Sequence, residues 1–181
     1  PTNKVVRVVK SATAFSYAGT TITGLEETGF SSKIPFTLSD TKMSVRVWSP
    51  NAGIKVRLKI EDHANSAINC ETESTVTIAS GWQTLEFDFA NNVSGTPLDI
   101  TKNYDKATIF FNFGVAGSVA GLKTYYFDDV KFVSALSNAK FNISSIKMYP
   151  NPVNNSLTIE ANSTIERVSV YNVLGQEVMS T

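Results

Sequence analysis

The chain has a single cysteine, Cys70, and a single histidine, His63. One cysteine excludes an internal disulfide. One histidine weakens the case for any His-based metal site or catalytic triad. No apolar run approaches the ~18 residues of a membrane-spanning helix. An excess of charge of one sign is missing too: Lys and Arg total 16, Asp and Glu total 16, and the formal charge is zero. Nucleic acid or an acidic membrane surface would demand a positive excess, so neither is an expected partner. No segment sustains a 3.6-residue apolar period, which excludes long amphipathic helices. There is no Gly-x-Ser-x-Gly elbow, zinc-ligand spacing or phosphate-binding loop. Glu71 and Glu73 alternate with Thr72 and Ser74, but nothing in the sequence sets them across a cleft as a glycosidase pair requires. No enzyme is expected within this chain.

What the chain does have is a 42% hydrophobic content over 181 residues, arranged in short runs of period two. Val5–Val9 reads as a strand. Met43, Val45 and Val47 alternate with Ser44, Arg46 and Trp48. After the turn chemistry of Ser49–Gly53, Val56, Leu58 and Ile60 alternate with Lys55, Arg57, Lys59 and Glu61. These two runs predict a hairpin with one buried and one polar face. Phe36–Leu38 predicts a short strand, Asn65–Asn69 a loop, and Thr72–Ile78 another strand. In 82–89 the apolar residues are Trp82, Leu85, Phe87 and Phe89, and Trp82 is assigned with them to the core. Ala107–Gly114, with Ile109, Phe111 and Phe113 in one phase, predicts a central strand. Tyr125–Phe132 predicts the last strand of a first domain. Eight or more short strands bounded by turn residues predict an all-β fold, an antiparallel β-sandwich over residues 1–133. A Ser- and Asn-rich stretch, 134–145, reads as a linker to a small incomplete β unit over 146–181.

In that last segment Pro150 and Pro152 forbid a helix, and Asn151, Asn154 and Asn155 supply turn chemistry. Leu157 and Ile159 alternate with Thr158 and Glu160. Val168, Val170 and Val173 lead to Gly175, a hairpin signal. Tyr149-Pro-Asn-Pro-Val153 followed by Val170-Tyr-Asn-Val-Leu-Gly-Gln176 resembles the C-terminal sorting domain of the type IX secretion system of Bacteroidota. The resemblance implies engagement with that secretion machinery and a secreted or cell-surface location. The family form runs several strands further, so the expectation is a truncated sorting domain. Residues 1–20 show no signal peptide, and the beginning of the chain is likewise read as cut.

Trp82–Phe89, Ile109–Gly114 and Tyr126–Val130, after Val45–Pro50, resemble the jelly-roll carbohydrate-binding modules attached to glycoside hydrolases. The resemblance covers residues 4–133 and implies a polysaccharide partner. Sugar recognition needs an aromatic face and planar or charged hydrogen-bonding groups. The expected site is Trp48 beside Arg46, with Arg57, Lys59 and Glu61 across the turn, Tyr17 as a second aromatic platform, and Asn112 facing the groove. The alternatives are a Trp48 buried beneath a loop, a solvated row of paired charges, and an Asn112 amide satisfied in the core. Asp128 and Asp129 interrupt an aromatic strand. In jelly-roll sugar modules a structural Ca²⁺ often sits here, and the resemblance implies calcium; strand-end carboxylates paired with Lys or Arg are the alternative. The reading is of a monomeric, non-catalytic module that holds a secreted polysaccharide-degrading enzyme, a glycoside hydrolase or lyase, on its glycan. A spacer or adhesin domain without glycan binding is the rival.

Overall fold

The computed structural model describes residues 4–24, 28–93, 97–133, 146–150, 155–161, 167–172 and 174–180. The expected linker, 134–145, lies outside them. The chain divides into two compact units, Pro1–Ala135 and Leu136–Thr181. Among the described residues no helix is long and apolar enough to cross a membrane.

Among the described residues the first unit has eight strands: β1 (Val6–Lys10), β2 (Thr20–Ile22), β3 (Lys42–Ser49), β4 (Lys55–Asp62), β5 (Asn65–Thr75), β6 (Gly81–Asp88), β7 (Lys106–Phe111) and β8 (Lys123–Val133). A four-residue helix, α1 (Gly117–Ala120), precedes β8. The strands form two antiparallel sheets. The first has the order β1-β8-β3-β6 and the second β2-β7-β4-β5. This is the strand order of an eight-stranded jelly roll.

Alternation decides what lies between the sheets. Met43, Val45 and Val47 point inward from β3, Leu85 and Phe87 from β6, and Tyr125 and Phe127 from β8. Val56, Leu58 and Ile60 from β4, Cys70 from β5, and Ala107, Ile109 and Phe111 from β7 meet them. The Phe111 and Tyr125 rings stack across the layer at 4.7 Å between centroids. Seven of the expected core residues, Val45, Val47, Val56, Leu58, Ile60, Phe87 and Phe111, are buried.

The expected 43–61 hairpin does not form. β3 pairs with β6 and β8, whereas β4 pairs with β5 and β7 in the other sheet. Alternation fixes which side of a strand is buried, not which strand lies beside it. Here the connection crosses the edge of the sandwich, and a second crossing holds it. The Ser80 amide donates to the Ser49 carbonyl at 2.7 Å, the Gly53 amide to Val76 at 2.8 Å, and the Val76 amide to Ile54 at 3.0 Å. The β3–β4 and β5–β6 connections therefore run side by side.

Two smaller expectations also change. Phe36–Leu38 is not a strand: Phe36 is buried, while the Thr37 hydroxyl bonds Asp40 and closes a turn. Asn65–Asn69 is part of β5, because Asp62 pairs with Asn65 and the turn shrinks to His63 and Ala64.

Among the described residues the second unit has two antiparallel pairs. β9 (Ile146–Tyr149) pairs with β10 (Thr158–Ala161), and β11 (Ser169–Tyr171) with β12 (Glu177–Ser180). The second turn is built around Asn172. Its side-chain oxygen accepts the amides of Leu174 (2.9 Å) and Gln176 (3.0 Å). Its carbonyl accepts the amide of Gly175, which sits at φ +79°, where a side chain would be strained. The expected turn residues Asn151, Pro152 and Asn154 and the expected apolar Val173 lie outside the described residues.

Candidate functional site

The residues singled out in the sequence fall on two different faces. Arg46 and Trp48 point outward from the first sheet. Arg57, Lys59 and Glu61 point outward from the second, because β3 and β4 belong to different sheets. The sandwich core separates the two groups.

On the first sheet, Trp48 is half-buried and faces away from the core, as its phase requires. Its cross-strand neighbours are Trp82 on β6 and Tyr126 on β8. The Tyr126 ring meets Trp48 edge to face at 5.5 Å. Trp82 is not a core residue. It is 37% exposed, and the Arg46 guanidinium lies 5.0 Å from its ring centroid. The reason is register: Leu85, Phe87 and Phe89 point inward, and Trp82 is an odd number of residues from each. It therefore shares the outward phase of Thr84 and Glu86.

On the second sheet, the outward face is a lattice of paired charges. Arg57 donates to Glu71 at 2.7 Å and to Glu73 at 2.6 and 2.9 Å, while its guanidinium covers the Phe113 ring at 3.6 Å. Lys55 reaches Glu73 at 3.0 Å. Lys59 and Lys106 converge on Glu61 at 2.5 and 3.2 Å. These groups point away from the core yet are well covered: the side chains of Arg57 and Glu73 are 14% and 12% exposed. Burial alone would raise the carboxyls of Glu61 and Glu73. The hydrogen bonds and charges of Lys59 and Lys106, and of Arg57 and Lys55, outweigh it and hold both below the usual range.

Phe113 was expected in the core and is only half-buried. β7 ends at Phe111, and Asn112 takes a left-handed conformation (φ +49°) that breaks the alternation. Phe113 then turns to the outward side, edge-on to Phe110 at 5.7 Å. The Asn112 carbonyl, with that of Phe111, accepts the buried Lys10 ammonium. Tyr17 lies on the β1–β2 loop, stacked parallel on Phe15 at 5.3 Å. Both rings are open to solvent, at 61% and 67%. The loop is tied to the end of β7: the Gly114 amide donates to the Ser16 carbonyl at 3.1 Å. Gly19 lies where a β-carbon would strike the Phe110 ring at 2.5 Å, so only glycine fits. The structure thus gathers Arg57, Lys59 and Glu61 on one face, while Asn112 follows the end of β7, to which the loop carrying Tyr17 is tied. Glu71 and Glu73, weighed in the sequence only as a glycosidase pair, join that face as partners of Arg57, and Phe110 joins it beside Phe113. The phase of Glu71 and Glu73 against Cys70 and Thr72 was the available signal.

Asp128 stands opposite Arg46, and Asp129 pairs with Lys131 at 3.0 Å. Among the described residues the one gathering of three ligand-type side chains is Asp62, His63 and Asp105. Its geometry is that of a staple. Asp105 accepts the His63 amide (2.9 Å) and the Asn103 amide group (2.9 Å), and bonds the His63 ring at 2.7 Å. This pins the β4–β5 turn to the segment before β7.

No curated protein shows significant similarity to the chain. Among solved structures, a similar one is the N-terminal cellulose-binding domain of β-1,4-glucanase C from Cellulomonas fimi. It shares 15% identity, covering 75% of this chain and 81% of that one, at a TM-score of 0.39. Residues 147–181 match the family described as the secretion system C-terminal sorting domain. The Asn172 turn and the β9–β10 pair are thus elements of a sorting domain, and the protein is one that is secreted or displayed at the cell surface.

Proposed function

We propose that residues 4–133 are a non-catalytic carbohydrate-binding module whose glycan lies along the outward face of the second sheet. One observation carries this reading: the exposed, parallel Phe15–Tyr17 stack on a loop tied to the end of that face. Two aromatic rings held open to water bring the fold little, and exposed apolar surface of this kind marks binding sites. The apolar side of a pyranose stacks on such rings. The hydroxyls find partners in Arg57, Glu71, Glu73 and Lys59, which their ion pairs hold in place before any ligand arrives. In an exported protein, such a module holds a linked polysaccharide-degrading domain on its polymer and raises its local concentration there.

The experiment is affinity electrophoresis of the full chain and of Phe15→Ala/Tyr17→Ala through gels containing mixed-linkage β-glucan, xylan, alginate or sulfated galactan. The parent is retarded by at least one polymer. The double variant keeps its melting temperature and loses about 2 kcal/mol of binding, roughly 30-fold. Equal retardation of parent and variant overturns the proposed site. A parent that no polymer retards gives the spacer reading instead.

A further inference from the structure

We infer that the outward face of the first sheet is a second glycan-binding surface, formed by the row Trp82, Trp48, Tyr126 and Arg7. These four residues are successive cross-strand neighbours on β6, β3, β8 and β1. Adjacent strands lie about 4.8 Å apart. The row therefore sets one aromatic group on each of three neighbouring strands, at a step close to the advance per sugar in an extended β-linked chain.

The row beside it supplies the polar half of a sugar site. Thr84, Arg46 and Asp128 are in register on the same three strands, and they offer a hydroxyl, a guanidinium and a carboxylate. Arg46 already lies against Trp82, so its fork is held beside the ring that a sugar would contact. Ser44 and Thr124 are the other outward groups nearby on β3 and β8. On β3 and β8 hydroxyls and charges stand beside the rings, and the exposed aliphatic groups, Val5 and Val9, are confined to the β1 edge; such a face fits a hydrated polymer better than an apolar protein surface. Asp128 offsets Arg46 and leaves Arg7 as a single positive charge at the row's end, so no basic cluster favours an anionic polymer and a neutral glycan fits. This surface lies across the core from the Arg57 face and does not depend on it.

The chain has two tryptophans, and both are in this row. Indole fluorescence therefore reports on this face alone. The test uses the full chain with mixed-linkage β-glucan and xylan as probes, in parent and Phe15→Ala/Tyr17→Ala backgrounds. The expected result is that one of the two polymers protects the indoles from acrylamide quenching in both backgrounds. Adding Trp82→Ala to the double variant then weakens retardation about tenfold or more, with the melting temperature within a few degrees. Four results overturn the inference. One is retardation of the parent with unchanged quenching. A second is undiminished retardation after Trp82→Ala. A third is no retardation by either probe. The fourth is a dimer in sedimentation that Trp82→Ala dissolves, which would make the row a self-interface. Loss of binding in Phe15→Ala/Tyr17→Ala with no indole protection in the parent would leave the Arg57-face proposal standing and this one refuted.

Discussion

Trp48 and Trp82 stand opposite each other across β3 and β6, and both point away from the core. Trp82 therefore contributes little packing between the sheets. Trp82→Ala should cost about 1 kcal/mol, the scale of its contact with the Arg46 guanidinium. Phe87, fully buried on the same strand, should cost about 3–5 kcal/mol when truncated to alanine. Urea unfolding of both variants checks the contrast; equal losses would place Trp82 in the core after all.

Acid should weaken the first unit by protonating Glu61, Glu73 and Asp105. Burial raises each carboxyl, but Lys59 and Lys106, Arg57 and Lys55, and the His63 amide with Asn103 and the His63 ring lower them further. A carboxyl depressed in the folded state contributes stability that is complete above its unfolded pKa, about 4 for Asp and Glu. That stability is lost as pH falls through the lower folded value. Chemical denaturation at a series of pH values should show a plateau above about pH 5 and a decline below about pH 4. Glu61→Gln, Glu73→Gln and Asp105→Asn should each flatten the decline.

Cys70 should be inert in the folded protein. Burial pushes its thiol up to about 11, and its Sγ lies 3.8 Å from the Phe89 carbonyl inside the core. Ellman's reagent near neutral pH should react with one thiol per chain only after denaturant is added. Prompt reaction without denaturant would mean that the sandwich opens near β5.

Much of this arrangement is legible in the sequence where it depends on neighbours along the chain. Val45, Val47, Leu58 and Ile60 declare their buried side by alternation, and the same alternation places Trp48 outward. Asn172 and Gly175 declare a turn because a short side-chain acceptor and a left-handed position are local requirements. Trp82 is open to the same reasoning, since its odd spacing from Leu85 sets it outward; counting it as the start of the apolar run through Leu85, Phe87 and Phe89 assigns it to the core. The partnership of β3 with β6 and β8 was not legible, because it rests on a crossing that residues 76–80 hold in place. For the same reason Arg57 and Trp48 looked like one face and lie on two. Asn112 illustrates a further limit: its left-handed backbone reverses the phase of Phe113, and nothing short of the structure marks it.

The pairing of β1 with β8 has a consequence for timing. Val6 finds its partner in Phe127 and Lys10 in Lys123, so the first strand waits for nearly the whole first unit to leave the ribosome. Contacts between such distant parts of a chain form slowly. The Asn172 turn closes over a few residues, and hairpins of that kind form in about 1–10 μs. The turn in the sorting segment can therefore close almost as soon as it is synthesised, whereas the edge of the sandwich must be found across nearly the whole first unit.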